Sequence, residues 1–242
     1  MTRSEQLHRH LIGRQGSRAD LNTPALILDR TAFDANVAAM ADFAQAQGIA
    51  LRPHAKTHKS ADVARAQIAA GAVGQCCAKL GEAEALAAEG IEGLLLTSPV
   101  VTPRAIERLV ALNAVSPGLR VVADHPDVVD ATARANGGRT PLTMLVDIDP
   151  GIHRTGVASP EAAVALARRI TDAPTLTYGG VQFYCGSQQH IPAFADRRAA
   201  IADRTAYLRT VIAALTDTGF APPVVTGGAR PAASSAARTV HI

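Results

Sequence analysis

Short runs of β-branched and leucine residues alternate with longer alanine- and leucine-rich stretches along most of the chain. The short runs are almost continuously apolar, as strands buried on both faces are. They predict strands at 24–29, 50–56, 73–78, 93–99, 119–125, 142–149, 176–185 and 223–227. Helices are predicted near 31–47, 59–70, 80–89, 103–114, 127–136, 159–170 and 191–218. The first helix sets Phe33, Val37, Met40 and Ala44 on one face, the spacing of a helix packed on a sheet. Several helix ends are marked. Thr31 with Asp34 resembles a capping box. Thr102-Pro103 and Ser159-Pro160 each place a hydroxyl before a first-turn proline. Gly48, Gly71 and Gly90 stand where a left-handed helix terminus is wanted.

Repeated strand–helix units predict a parallel sheet covered by helices. Seven or eight such units in about 210 residues favour an α/β (β/α)8 barrel of the TIM type over a doubly wound sheet. No G-x-G-x-x-G follows the first strand, which weighs against a dinucleotide fold. Barrel chemistry sits at the C-terminal ends of strands. Lys56, Lys79, Asp124, His125, Asp147, Asp149, Arg154, Tyr184, Cys185, Thr226, Gly227 and Gly228 are predicted there. A lysine, an arginine, a tyrosine and a late glycine turn suit an anionic aromatic cofactor.

Composition narrows the classes. The 242 residues are 48% hydrophobic and 19% charged, an ordinary soluble globular balance. No apolar run approaches the roughly 20 residues of a membrane span. The formal charge is +3 and aromatics are 3%, with no basic block between aromatics, so nucleic acid is not an expected partner. Cys76, Cys77 and Cys185 form no disulfide framework, which points to a reducing, cytoplasmic compartment. Residues 1–20 are polar, with Arg3, Arg9, Arg14 and Arg18 and no apolar signal core, and are expected as a flexible arm.

The sharpest segment is Arg52-Pro53-His54-Ala55-Lys56-Thr57-His58-Lys59. A lysine ending an apolar strand is expected to be half desolvated, which favours the neutral amine that imine formation needs. The same composition also fits a solvated loop. Period-two alternation puts Arg52 and His54 on the face of Lys56. Arg154 suits either a cofactor contact or an ion pair with Asp147 or Asp149. Tyr184 suits a cofactor contact or a half-buried core position. Cys185 reads as a small strand-end residue rather than a nucleophile. His54 and His58 are spaced like helical metal ligands but straddle a strand end, so no metal site is predicted. Thr226-Gly227-Gly228 follows a late strand, where glycines let backbone N–H groups approach a phosphate.

The segment at 52–59 resembles the cofactor-lysine motif of the D-threonine aldolase / D-serine dehydratase family. These are fold-type III pyridoxal-phosphate (PLP) enzymes with a barrel like the alanine racemase N-terminal domain. Residues 22–29, the stretch from Asp147 through Arg154 to Gly156, the stretch from Gly180 through Tyr184 to His190, and Thr226-Gly227-Gly228 resemble the family's other motifs in order. The resemblance spans 22–228. It implies a PLP-dependent lyase acting on D-β-hydroxy-α-amino acids, by aldol cleavage as for D-threonine or by dehydration as for D-serine. It implies Lys56 as the Schiff-base lysine and proton shuttle. His54, Arg154 and Tyr184 would contact the cofactor, and Thr226, Gly227 and Gly228 would begin its phosphate loop. Relatives are commonly homodimers. They carry a divalent metal (Mn2+, Zn2+ or Mg2+) in a C-terminal region whose site is expected to be absent here.

Past Gly228 the family's glycine- and threonine-rich run does not continue. Residues 229–242 have an Ala/Arg/Ser/Pro bias that a shifted reading frame in GC-rich DNA yields, and are expected to be an unstructured, unrelated tail. The expected domains are therefore an arm at 1–20, a PLP-binding barrel at 21–228 and the tail. The last strand and a C-terminal β domain are expected to be missing. A non-catalytic PLP carrier, or an inactive remnant of a lyase, is the alternative reading.

Overall fold

A computed structural model describes residues 7–228 and the backbone of 240–241. The chain divides into two compact units, Met1–Asn36 and Val37–Ile242.

In the first unit, Arg9–Leu11 and Ser17–Asp20 are short 3-10 turns, so the expected arm carries local structure over its described part. The predicted strand at 24–29 forms no regular strand and pairs with no strand among the described residues, and Leu26, Ile27 and Leu28 are exposed. β-branched, apolar composition favours an extended backbone; it does not supply a pairing partner. Helix α1 (Arg30–Ala46) is capped by Asp29, whose Oδ1 accepts from the Ala32 N–H at 2.9 Å. Asp34 instead pairs with Arg30 at 2.6 Å, so the capping box predicted at Thr31 does not form. Of the predicted apolar face only Ala44 is buried, and Met40 is exposed.

The second unit is a run of parallel strands in sequence order: β1 (Cys76–Cys77), β2 (Leu95–Leu96), β3 (Arg120–Ala123), β4 (Leu142–Ile148), β5 (Leu176–Tyr184), β6 (Val225–Gly228) and β7 (Val240–His241). Helices α2 (Ala61–Ala69), α3 (Leu80–Ala88), α4 (Pro103–Asn113), α5 (Pro126–Asn136), α6 (Pro160–Asp172) and α7 (Phe194–Asp217) fall between strands as predicted. This is an incomplete α/β barrel of the TIM type. Gly48, Gly71 and Gly90 take the predicted left-handed conformation, with φ of 62°, 104° and 77°. Ser159 caps α6 through the Ala162 N–H at 3.2 Å, whereas Thr102 makes no side-chain cap.

Two segments differ from expectation. Residues 50–56 are not a regular strand, yet they run along β1. The Val73 N–H donates to the Leu51 carbonyl, the Cys76 N–H to that of Pro53, and the Ala55 N–H to that of Cys76, each at 2.8 Å. Pro53 has no N–H to give, which interrupts the ladder and leaves His54 in a single bridge with Cys76. At the other end, β7 pairs in parallel with β6, Val225 opposite Val240 and Thr226 opposite His241. The expected unstructured tail thus contains a two-residue strand; residues 229–239 and 242 lie outside the described residues.

Strand alternation sorts the core into two faces. Leu94, Leu96, Val121, Met144, Val146, Ile148, Val181, Phe183 and Val225 pack with buried residues of the helices, including Leu109, Leu166 and Ile170. Cys76, Leu95, Val122 and Leu145 form a separate small cluster on the barrel side. All three cysteines are free and buried. Among the described residues no helix is long and apolar enough to cross a membrane.

Leu94 is fully buried between sheet and helices, and Leu26 is fully exposed. Leu94→Ala should therefore cost about 2–5 kcal/mol in urea unfolding. Leu26→Ala should move stability by no more than about 0.5 kcal/mol.

Candidate active site

The inward positions of consecutive strands converge at their C-terminal ends. Lys56 lies in the turn after His54, where the Lys59 N–H closes back on the Ala55 carbonyl at 2.8 Å. Its Nζ lies 5.8 Å from the centre of the Tyr184 ring, and the Arg154 Cζ lies 5.5 Å from the same centre. Both cations are thus within reach of the ring's negative face. Tyr184 ends β5 and stands in register with Gly228 on β6. A Cβ on Gly228 would approach the ring to 2.8 Å, and one on Gly186 to 2.5 Å. The ring can occupy this position only because both residues are glycine. A Cβ on Gly227 would overlap the Phe183 carbonyl, so the glycine pair on β6 is also a steric requirement of the sheet. Thr226, opposite Gln182, is buried. Lys56, Arg154, Tyr184 and Gly228 are brought together as the sequence predicts.

Lys56 is exposed, not half desolvated as expected. The cause is local: the chain turns directly after His54, which carries Lys56 off the strand and out of the barrel wall.

His54 is the half-buried member of the lysine segment. The Lys56 backbone N–H donates to its Nδ1 at 3.3 Å, and its Nε2 lies 3.3 Å from the Thr97 Oγ1. The Thr97 hydroxyl spends its proton on the Cys77 carbonyl, 3.2 Å away. Thr97 must then accept, so Nε2 carries the proton and Nδ1 the lone pair. Burial, then the Lys56 charge, lowers the His54 pKa to about 4, which agrees with that neutral tautomer.

A second polar network joins this one from across the barrel. Gln182 Nε2 donates to the Thr97 carbonyl at 3.2 Å and to Asp147 Oδ1 at 3.0 Å. Asp147 is buried, and burial raises its pKa to about 6 against the pull of Gln182. The sequence reading did not single out Thr97 or Gln182. The signal for Gln182 was present, since it is two residues from Tyr184 on one strand and shares its face.

The ion pair considered for Arg154 does not form. Asp147 is held by Gln182. Asp149 Oδ1 accepts from the N–H groups of Gly151, Ile152 and His153 at 2.8, 2.8 and 3.1 Å, and its Oδ2 meets His153 Nδ1 at 2.9 Å. Those bonds hold Asp149 below its usual pKa despite burial. The loop is tied down further by the Gly156 N–H, which donates to Asp124 Oδ2 at 3.0 Å. Arg154 projects from this loop to the Tyr184 ring. Arg52 is not at this end; it is buried near the turns that precede β1 and β2. Cys185 points into the helix-side core, where burial pushes its thiol up to about 11. Among the described residues no group of three or more His, Cys, Asp or Glu side chains is placed to hold a metal ion.

The family model for the alanine racemase N-terminal domain matches residues 28–241. The chain belongs to this family. Its structural neighbours include fold-type III PLP enzymes. The 3-hydroxy-D-aspartate aldolase of Paracoccus denitrificans (strain Pd 1222) is 40% identical over 212 residues, 87% of this chain and 55% of that protein. The D-threonine aldolase of an Arthrobacter species is 33% identical, over 87% of this chain and 55% of that protein. Among solved structures, D-threonine aldolase from Filomicrobium marinum superposes with a TM-score of 0.83 at 37% identity, over 86% of this chain and 57% of that one. The chain thus spans slightly more than half the length of these relatives.

The two shifted groups predict opposite responses to acid. His54 falls from 6.5 to about 4 on folding, so between those values the unfolded chain binds more protons and acidification destabilises. Asp147 rises from 3.8 to about 6, so between those values the folded chain binds more protons and acidification stabilises. In Asp147→Asn only the first remains among this pair. Its urea-unfolding stability should drop more steeply than wild type from about pH 7 to about pH 5. Parallel pH curves for the two proteins would contradict a protonated Asp147.

Proposed function

We propose that this chain carries the PLP-binding barrel of a lyase acting on D-β-hydroxy-α-amino acids, with Lys56 as the residue that bonds the cofactor. The observation that carries this reading is the convergence of Lys56, Arg154, Tyr184 and Gly228 at one end of the sheet. The names of the relatives support the substrate class. Aldolases at 40% and 33% identity make carbon–carbon cleavage the first reading. A D-threo-3-hydroxyaspartate dehydratase of Delftia at 32% identity makes dehydration the second.

The residues present fit the cofactor by the chemistry of their donors. The Lys56 amine is exposed to a carbonyl partner. Tyr184 offers a ring face, and Arg154 a fixed cation beside it. The backbone at Gly227 and Gly228, with Thr226, would meet the phosphate end through its N–H groups at the end of β6. Bound there, PLP supplies an electron-accepting ring that stabilises negative charge at the substrate's α-carbon.

The chain's own groups have separable tasks. In carbon–carbon cleavage Lys56 Nζ would return a proton to the α-carbon after the β-hydroxyl has lost its own; in dehydration it would take the α-proton. His54 holds the Lys56 backbone through Nδ1 and stays neutral, so it adds no second positive charge beneath the amine. Gln182 ties Asp147 to the strand that carries Thr97 and fixes the floor of the site. Arg154 provides the cation that an anionic cofactor requires.

Incubation with PLP, reduction with borohydride and peptide mass mapping test the lysine directly. The reduced cofactor should appear on the Lys56 peptide and be lost in Lys56→Ala. A label confined to Lys59 or Lys79 refutes the assignment. PLP-loaded protein that has not been reduced should also release aldehyde from D-threonine, or keto acid from D-serine, with Mn2+ present. A PLP-loaded but inert protein points instead to a carrier.

A further inference from the structure

The barrel carries a second charged feature away from Lys56. Arg52 faces the interior by the same alternation that directs His54. It is only 4% exposed, and its Nε and Nη1 have no hydrogen-bond partner among the described residues. The guanidinium lies against the two glycine turns that precede β1 and β2. A Cβ on Gly74 would stand 2.6 Å from Nη1, and one on Gly93 3.4 Å from it. Gly74 and Gly93 also adopt φ of +139° and +66°, a conformation that side chains rarely take. Backbone geometry and the absence of side chains together make room for the cation.

The charge environment is wrong for a cation on its own. Burial, and then the like charge of Arg120, the first residue of β3, lowers the Arg52 pKa to about 10. No described acceptor takes the Nε or Nη1 protons. A buried guanidinium with unmade bonds and a neighbouring cation is strongly unfavourable, and arginine almost never loses its proton to escape this. The compensation that remains is a negative partner. Charge-assisted bonds to a compact anion would satisfy Arg52 and offset the repulsion from Arg120 together.

We propose that Arg52, backed by Arg120, forms a binding site for one small carboxylate-sized anion at the base of the barrel. The site is separate from the cofactor end and does not rest on the cofactor reading. Its ligand is structural: the anion fills the partner role that the surrounding backbone leaves open.

Thermal unfolding of the full 242-residue chain, followed by circular dichroism, tests this. Formate is titrated at constant ionic strength, balanced with a bulky sulfonate buffer salt. Wild type should show a saturable rise in unfolding midpoint of about 2–5 °C. Arg52→Met should lose the saturable rise and, without formate, unfold no lower than wild type, because the uncompensated charge is gone. Arg120→Gln keeps Arg52 and removes one attracting charge, so half-saturation should need more formate. A wild type without a saturable response overturns the proposal, as does an Arg52→Met protein that keeps it. If Arg52→Met does not fold, an unchanged half-saturating concentration in Arg120→Gln overturns it equally.

Discussion

A parallel strand covered by helices sends every second side chain into the barrel, and nearly everything at the site depends on that alternation. It puts Leu94, Leu96, Val121 and Val146 against the helices. It leaves the intervening positions, among them Thr97, Asp147, Gln182, Tyr184 and Thr226, on the inner face. Residues distant in sequence meet because they occupy the same phase of the pleat on adjacent strands. A one-residue slip in β5 would bury Tyr184 with Phe220 and the helix side, and would bring Cys185 into the barrel. The register between β5 and β6, Tyr184 opposite Gly228, is what prevents it.

Beyond the small apolar cluster of Cys76, Leu95, Val122 and Leu145, the inner face is polar, so its stability depends on hydrogen bonds being complete. On the cofactor side they nearly are. His54, Thr97, Gln182 and Asp147 form one connected set in which each donor finds an acceptor. One carboxyl, that of Asp147, is nevertheless pushed toward its neutral form, because burial outweighs the side-chain bonds that favour its charge. Asp149, two residues on, has three backbone donors and goes the other way. Two aspartates two residues apart thus shift in opposite directions: burial prevails at Asp147 in β4, and the three backbone donors prevail at Asp149.

Much of this was legible in the sequence. The strand and helix alternation was visible in the apolar runs, and the helix termini at Gly48, Gly71 and Gly90 in their glycines. The convergence of Lys56, Arg154 and Tyr184 followed from placing each at a strand end. What the sequence did not carry was pairing and partnership. Residues 24–29 have strand composition but no neighbour. Residues 50–56 have a neighbour but carry Pro53 in the ladder. Thr31 and Asp34 have capping spacing, but Asp29 reaches the free N–H first. Lys56 ends an apolar run, yet one turn moves it into solvent. Each miss is a case where composition specified a conformation and a single local bond decided its use.

The placement of the two site cations says something that neither residue says alone. Lys56 and Arg154 carry like charge and approach one aromatic ring, at 5.8 and 5.5 Å. Cation–π attraction at an exposed site is worth about 0.5–1 kcal/mol each, comparable in size to the screened repulsion between two exposed charges. The ring therefore holds the pair without strongly stabilising it. What would stabilise it is negative charge arriving between the cations. An anionic aromatic molecule meets both needs at once, since its ring can lie along Tyr184 while its charges face Lys56 and Arg154. The site is thus arranged around charge that the protein itself does not supply, and this makes the tyrosine and its two flanking glycines as much a part of the cofactor hypothesis as the lysine.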